Sequence, residues 1–369
     1  MAVHLVTGAT GFVGGALVLE LLKTTQDTVV AVVRPGPNET AEARLHASVL
    51  HAARAYGQDP ESVPLERLRG VAGDLTAPAC GVSSPVPRAH ILWHSAASLR
   101  YEDRHAEEIS ATNVGGTRHV LELARAAGVE VANMVSTAYV AGRADGRIFE
   151  VPIETPDVNN HYERSKVEAE ALARAADHLL VRILRPGIVV GHSQTLAATA
   201  FTGLYGYARQ LMQFKGAMER MQKGLLAQRP LRLRATPDLG LGLVPVDEVA
   251  VQAVHIGNSP TARGVFNLTP VAPPRVEDCI RAATRALGFA DPEFVGIDAP
   301  LEWLDEQIDQ RLDFYGSYVR GSKVFDRSRT DAALGDRADL RRTLPSTEVL
   351  LNWYFARLEA ERAALPVSR

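Results

Sequence analysis

The feature that most constrains this chain is a glycine-rich turn set between an apolar run and a helical segment near its start. Val3-His4-Leu5-Val6-Thr7 has strand composition, Gly8-Ala9-Thr10-Gly11-Phe12-Val13-Gly14 follows at once, and Ala16 to Leu22 favours a helix. Strand, glycine turn and helix in that order aim backbone N–H groups and a helix N-terminus at a pyrophosphate. Glycine at positions 8, 11 and 14 permits the tight turn, the close approach of backbone to phosphate, and close packing of strand on helix. Thr10, Phe12 and Val13 join the three glycines as expected contacts of a dinucleotide.

The alternation continues along the chain. Strand-like runs at 3–7, 28–33, 69–73, 91–94, 131–136, 179–184 and 264–268 are interleaved with helical patterns at 12–24, 39–56, 115–127 and 161–177. This predicts an α/β fold, a Rossmann-type doubly wound parallel sheet that binds its ligands at the carboxyl ends of the strands. Residues 1–191 are expected to form the dinucleotide-binding core, with a helical insertion over 36–68. Residues 192–242 are helical in composition and basic, 243–269 return to the core, and 270–369 complete a smaller, mainly helical C-terminal substrate lobe.

Composition removes several function classes. A 46% hydrophobic, 22% charged chain of 369 residues can bury a full core. A net charge of -3 leaves no electrostatic footprint for a nucleic acid. No apolar run approaches the roughly 20 residues that a membrane span needs. The first strand begins too close to Met1 to leave room for a signal peptide. Cys80 and Cys279 have no metal-type spacing and read as reduced thiols, so a cytoplasmic location is expected.

The end of the second strand reads Val32-Val33-Arg34, with arginine where an acid would bind a ribose 2′-hydroxyl. Arginine suits a 2′-phosphate, so NADP(H) is the expected cofactor. Arg44 either supplies a second guanidinium or is a solvated surface residue. Asp74, in Gly73-Asp74-Leu75, either accepts from the adenine amino group or caps a turn. Small Ala96 and Ala97, after His94 at another strand end, let backbone approach the dinucleotide. His94 itself reads as a structural histidine, and no metal site is expected. The rigid turn Pro186-Gly187-Ile188 offers its backbone to a nicotinamide amide.

Tyr162 and Lys166 are i and i+4 on a helix and share one face. An ammonium there can lower the phenol pKa and make it a general acid toward a carbonyl oxygen. Thr137 closes an apolar strand, where its hydroxyl can bond the same oxygen. Asn113 opens another helix, as a cap or as part of a proton relay. No G-x-S-x-G elbow is present, which removes a serine hydrolase.

In order and spacing, TGATGFVG at 7–14, GDL at 73–75, HSAA at 94–97, NVGGT at 113–117, STA at 136–138, YERSK at 162–166 and RPGIVVG at 185–191 resemble the extended short-chain dehydrogenase/reductase superfamily. Within it the chain is most similar to fatty acyl-CoA reductases and the thioester reductase domains of carboxylic acid reductases and peptide synthetases. Arg34, Arg44 in the 36–68 insertion and Leu243-Val244-Pro245-Val246-Asp247-Glu248-Val249-Ala250 carry that likeness. The resemblance implies a catalytic triad of Thr137, Tyr162 and Lys166, with Lys166 also holding the nicotinamide ribose. Val167 departs from the tryptophan common after the catalytic lysine.

The resemblance implies NADPH-dependent reduction of an acyl thioester to an aldehyde or alcohol, on CoA or on an acyl carrier protein arriving in trans. A stand-alone ketoreductase or alcohol dehydrogenase on a free carbonyl would use the same residues. A sugar-nucleotide epimerase and a non-catalytic dinucleotide sensor are further readings. Homodimers are common in this superfamily. The basic run Arg209, Lys215, Arg220, Lys223, Arg229, Arg232 and Arg234 fits docking of CoA phosphates or an acidic carrier protein, or a solvated helix face. Met212, Phe214, Met218 and Met221 read as acyl channel or simply as core.

Overall fold

Apolar side chains alternate along the first strands, and that alternation decides both faces of the sheet. In β1 (Val3–Thr7), Leu5 joins one buried cluster and Val6 another. In β2 (Thr28–Val33), Val30 and Val32 go with Leu5, whereas Val29, Ala31 and Val33 go with Val6. Strands buried on both faces belong inside a parallel sheet covered by helices. The computed structural model describes residues 1–83, 88–100, 102–154 and 156–364.

The further strands are β3 (Leu68–Ala72), β4 (Ile91–His94), β5 (Val131–Val135), β6 (Arg147–Ile148), β7 (Leu180–Pro186), β8 (Ile188–Val190), β9 (Arg232–Arg234), β10 (Leu243–Pro245), β11 (Gly264–Leu268), β12 (Glu293–Val295) and β13 (Val324–Phe325). Seven of them form one parallel sheet in the order β11-β7-β5-β4-β1-β2-β3. The chain winds outward from β1 to β3, then starts again at β4 and winds the other way. The crevice at the carboxyl ends of β1 and β4 is the switch point where such sheets bind ligands. The expected doubly wound sheet is therefore present, with β3 shifted by one residue and β7 running on to Pro186.

Helices α1 (Phe12–Thr24), α2 (Ala41–Ala55), α3 (Ala106–Ser110), α4 (Gly116–Ala126) and α5 (His161–Arg174) accompany the sheet. The helical stretch read as an insertion is the crossover helix between β2 and β3 itself. Gly70 in β3 makes its close seating possible, because a Cβ there would lie 2.4 Å from the Cα of Glu42 in α2. Two short 3-10 turns, Pro60–Ser62 and Leu65–Arg67, account for the extra length.

Beyond β8 the chain builds a second core from α6 (Leu204–Met221), α7 (Leu225–Gln228), α8 (Val246–Gly257), α9 (Val276–Ala286), α10 (Trp303–Arg311), α11 (Asp313–Val319), α12 (Ser328–Leu334) and α13 (Thr347–Ala364). Of these, α8 and Leu334 of α12 pack into the sheet's own core instead. Phe214 and Met218 are buried in the lobe core and Met221 is 68% exposed, so the methionine and aromatic stripe is packing rather than a channel. None of the described helices is long and apolar enough to cross a membrane.

Candidate active site

A single cleft of about 880 Å³ runs from the glycine turn to the helical lobe. Every residue expected to touch the cofactor lines it, and so do Thr137, Tyr162 and Lys166. Asn113 is not part of that lining.

The glycine turn is built for close approach. Gly8 has φ +78°, and a Cβ there would lie 2.6 Å from the Ala96 nitrogen at the end of β4. At Gly14 a Cβ would lie 2.0 Å from the Gly8 oxygen. Gly11 stands at the N-cap of α1 without a side-chain cap, so the first N–H groups of that helix face the cleft uncovered. A cradle that a Cβ would fill, beside an open helix N-terminus, fits a pyrophosphate.

At the end of β2, Arg44 Nη1 donates to the Arg34 carbonyl at 2.8 Å, so α2 brings a second guanidinium beside Arg34. Arg44 is therefore tied into this corner and is not simply a solvated side chain. Asp74 Oδ2 lies 4.0 Å from Arg34 Nη1. Its Oδ1 accepts from the Thr76 N–H at 2.9 Å and the Thr76 hydroxyl at 2.8 Å, which hold the carboxyl below the usual carboxylate range. Asp74 thus caps its turn with one oxygen and turns the other toward Arg34.

The α5 helix starts from a box of reciprocal caps. Asn160 Oδ1 accepts from the Glu163 N–H at 2.9 Å, and Glu163 Oε2 accepts from the Asn159 N–H at 2.7 Å. This fixes Tyr162 in the first turn and Lys166 one turn on. The Lys166 ammonium donates to the Val135 carbonyl at 2.8 Å, at the end of β5. Burial pulls its pKa down to about 8, opposed by the Glu170 carboxylate. Burial, with the Glu163 carboxylate, pushes the Tyr162 phenol above its ordinary value. The expected lowering of the phenol by Lys166 is not seen; burial and the Glu163 carboxylate set the direction. Thr137 caps a 3-10 turn and its Oγ1 accepts from the Tyr139 N–H at 3.2 Å, which leaves its own O–H to donate.

Asn113 sits inside a π turn, Ala111–Gly115, and does not cap α4. Its side chain accepts from the Ser98 N–H at 2.7 Å and donates to the Ser98 carbonyl at 3.0 Å and the Ser165 hydroxyl at 2.9 Å. It ties the loop after β4 to α5. His94 is structural. Thr117 donates to the Asn113 carbonyl at 2.6 Å and so accepts from His94 Nε2 at 3.0 Å, while Thr7 Oγ1 lies 2.7 Å from Nδ1. Burial pulls its pKa down to about 3, so the ring is neutral. At the 186–188 turn, the Gly187 and Ile188 N–H groups already donate to Leu268 and Gly242 at 3.1 and 2.7 Å. What that turn offers a carboxamide is carbonyl oxygen.

Apart from Arg209 in the basic run, sequence reasoning missed the wall opposite. Phe201, Gly203, Gly206, Arg209, Phe314 and Tyr318 bring α6 and α11 onto the cleft. They carry no motif, and only the tertiary packing of the lobe assembles them. The basic run is largely engaged inside the protein. Arg229 pairs with buried Asp305 at 2.7 Å, Arg234 with Asp309 at 2.9 Å, Arg232 donates to the Pro300 carbonyl at 2.7 Å and Lys215 to Leu287 at 2.6 Å. These charges staple β9 and α6 to the rest of the lobe rather than forming one docking face.

The fold and the glycine cradle define a dinucleotide-binding protein with a serine/threonine, tyrosine and lysine set on one cleft. Residues 6–253 match the profile of the Male sterility protein family, and the chain belongs to that NAD-binding family of the extended short-chain dehydrogenase/reductase superfamily. It is 27% identical to a glycine betaine reductase of Emericella nidulans over 82% of this chain and 23% of that protein. It is 26% identical to fatty acyl-CoA reductase 2 of Bos taurus over 69% of this chain and 54% of that protein. The chain thus spans from about a quarter to about half the length of these two relatives. Among solved structures, the terminal R domain from the myxalamid PKS-NRPS biosynthetic pathway superposes with a TM-score of 0.75 at 25% identity, over 100% of this chain and 93% of that one.

Proposed function

We propose that this protein is an NADPH-dependent reductase of acyl thioesters, whose substrate arrives on CoA or on an acyl carrier protein. The carrying observation is that Thr137, Tyr162 and Lys166 share one cleft with the glycine cradle, and that this cleft continues onto the lobe. The fatty acyl-CoA reductase among the relatives supports the thioester as substrate. Cys80 and Cys279, both free and buried, support a reducing, cytoplasmic setting.

The residues divide the work by position. The Gly8–Gly14 turn and the α1 N-terminus hold the pyrophosphate, Arg34 and Arg44 the 2′-phosphate, and Asp74 and Leu75 border the adenine. Ala96, Ala97 and the 186–188 turn flank the nicotinamide half, and Lys166 takes the ribose. Bound there, NADPH supplies hydride to the thioester carbonyl carbon. Thr137 and Tyr162 donate hydrogen bonds to the carbonyl oxygen as its negative charge grows. A phenol raised by burial keeps its proton at neutral pH and can give it up only to a strongly basic oxygen. Collapse of the adduct breaks the C–S bond, releases the thiol and leaves an aldehyde. Asn113 is a positioning residue for the loop and α5, not a proton carrier.

The test is NADPH oxidation with a panel of acyl-CoA and acyl-pantetheine thioesters beside matching aldehydes and ketones, with products identified by mass. Thiol release in step with NADPH consumption is expected, and the hydride count separates aldehyde from alcohol. Turnover of free carbonyls alone would overturn the proposal in favour of a ketoreductase.

A further inference from the structure

Two glycines at the start of α6 seat the helix closely against its neighbours in the cleft wall, and an arginine follows them on the same face. Gly203, the N-cap of α6, has φ +53°, and a Cβ there would lie 2.6 Å from Ile188 Cγ2, so α6 starts against the 186–188 turn. A Cβ at Gly206 would lie 2.3 Å from the Tyr315 hydroxyl. Residues 203, 206, 209 and 210 follow at helical spacing and all line the cleft, so they form one stripe along α6. The stripe runs from two positions without side chains to Arg209 and Gln210, about 9 Å further along the helix at 1.5 Å per residue. Phe201 and Phe314 are also in the cleft wall.

Arg209 differs from three other arginines of the lobe. Arg229, Arg234 and Arg320 are each paired with Asp305 or Asp309. Arg209 Nε donates to the Tyr354 hydroxyl at 2.9 Å, and the guanidinium carbon lies 6.0 Å from that ring's centroid. Among the described residues it pairs with no carboxylate, and neither Nη group has a hydrogen-bond partner. A half-buried guanidinium held by its Nε leaves a two-pronged donor fork, whose complement is a carboxylate or a phosphate. In a cleft wall rich in aromatic side chains that charge is only weakly screened.

We infer that Arg209 is the anion-recognition residue of the substrate side, fixing a phosphate or carboxylate carried by the thioester. The inference rests on the thioester reading of the cleft. The anion has two sources, the phosphate of a phosphopantetheine arm or an acid at the far end of the acyl chain. Arg209 stands about 9 Å along α6 from Gly203, the end set against the 186–188 turn, and in this inference it holds an anion and not the reacting carbonyl, so its loss removes binding shared by ground and transition states and appears in KM rather than kcat.

The experiment compares wild type, Arg209→Met and Arg209→Lys on hexanoyl-pantetheine, hexanoyl-phosphopantetheine and adipoyl-pantetheine. Wild type is expected to prefer one anionic thioester to the neutral one. Arg209→Met raises KM for that thioester about tenfold more than for hexanoyl-pantetheine, and Arg209→Lys recovers part of the preference. The thioester that suffers names the source of the anion. Equal loss on all three, or no anionic preference in wild type, or a preference that survives in Arg209→Met, overturns the inference. If wild type reduces no thioester, the proposed function falls separately. Calorimetric titration of the same three compounds into the NADP+-loaded protein then decides the role of Arg209 by the same loss or retention of preference.

Discussion

Glu170 and Arg185 form a fully buried two-pronged ion pair, with Nη2 to Oε2 at 2.6 Å and Nε to Oε1 at 2.9 Å. Glu170 lies one turn beyond Lys166 on α5, and Arg185 precedes Pro186 at the end of β7. The pair therefore locks the helix that carries Tyr162 and Lys166 to the strand that runs into the 186–188 turn. Arg185 Nη1 also donates to the Val151 carbonyl at 2.9 Å. Glu170→Ala leaves a buried guanidinium without its carboxylate and is expected to cost about 3–5 kcal/mol. Urea unfolding measures it against Arg164→Ala on the exposed face of the same helix. A loss under about 1 kcal/mol would show that the pair does not anchor α5.

Lys166 makes stability depend on pH in a definite direction. Its pKa falls from 10.5 to about 8 on folding, chiefly by desolvation. Between those values the unfolded chain binds more protons than the folded one, so wild type gains stability as pH rises through the window. Below the folded value both states are protonated, and the folded state bears the whole cost of a buried ammonium, about 3 kcal/mol. Against Lys166→Met, wild type should therefore improve by about 2–3 kcal/mol between pH 7 and pH 10. Urea unfolding of both proteins at the two pH values gives this difference. A gap that stays constant would mean that the ammonium is not buried in solution.

Tyr162→Phe removes the proposed acid and little else, because the ring stays in place. The expected result is a fall in turnover of about 100-fold to 10,000-fold, with NADPH affinity held within about twofold. Fluorescence titration of NADPH and steady-state rates separate the two. Unimpaired turnover would remove Tyr162 from the chemistry. A protein that binds NADPH in both forms and turns over in neither would be a sensor.

The strands were legible because a short continuous apolar run, such as Leu5-Val6 or Val29-Val30, is a local signal of a strand buried on both faces. The glycine turn was legible for the same reason: the demand at Gly8 and Gly14 is met within a few residues. Partners distant in sequence were not. The arginines of 229–234 look like a docking face until Asp305 and Asp309 arrive from α10, some seventy residues later. The role of Asn113 was hidden by a π turn that its helix-like surroundings do not announce. Gly203 and Gly206 read as ordinary glycines, because what they make room for, Ile188 and Tyr315, comes from two other parts of the chain.

The proposed preference for NADPH rests on the corner formed by Arg34 and Arg44. The Arg34 side chain is 71% exposed, and no carboxylate comes nearer to it among the described residues than Asp74 at 4.0 Å. Arg44 is held against the Arg34 carbonyl, so the two guanidiniums approach one ligand group from α2 and from the end of β2. A ribose 2′-hydroxyl gains little from two cations, whereas a 2′-phosphate gains charge-assisted hydrogen bonds from both. Arg34→Ala is expected to raise the Kd for NADPH by about tenfold to a hundredfold, with a far smaller change for NADH. Arg44→Ala acts in the same direction. Because Arg34 is exposed, the preference of wild type for NADPH should also shrink as salt rises from about 0.05 M to 0.5 M. Calorimetric titration of the oxidised dinucleotides at both salt concentrations tests this. If Arg34→Ala weakens both dinucleotides equally, the pair serves the protein rather than a 2′-phosphate, and NAD becomes the cofactor to test in the reductase assay.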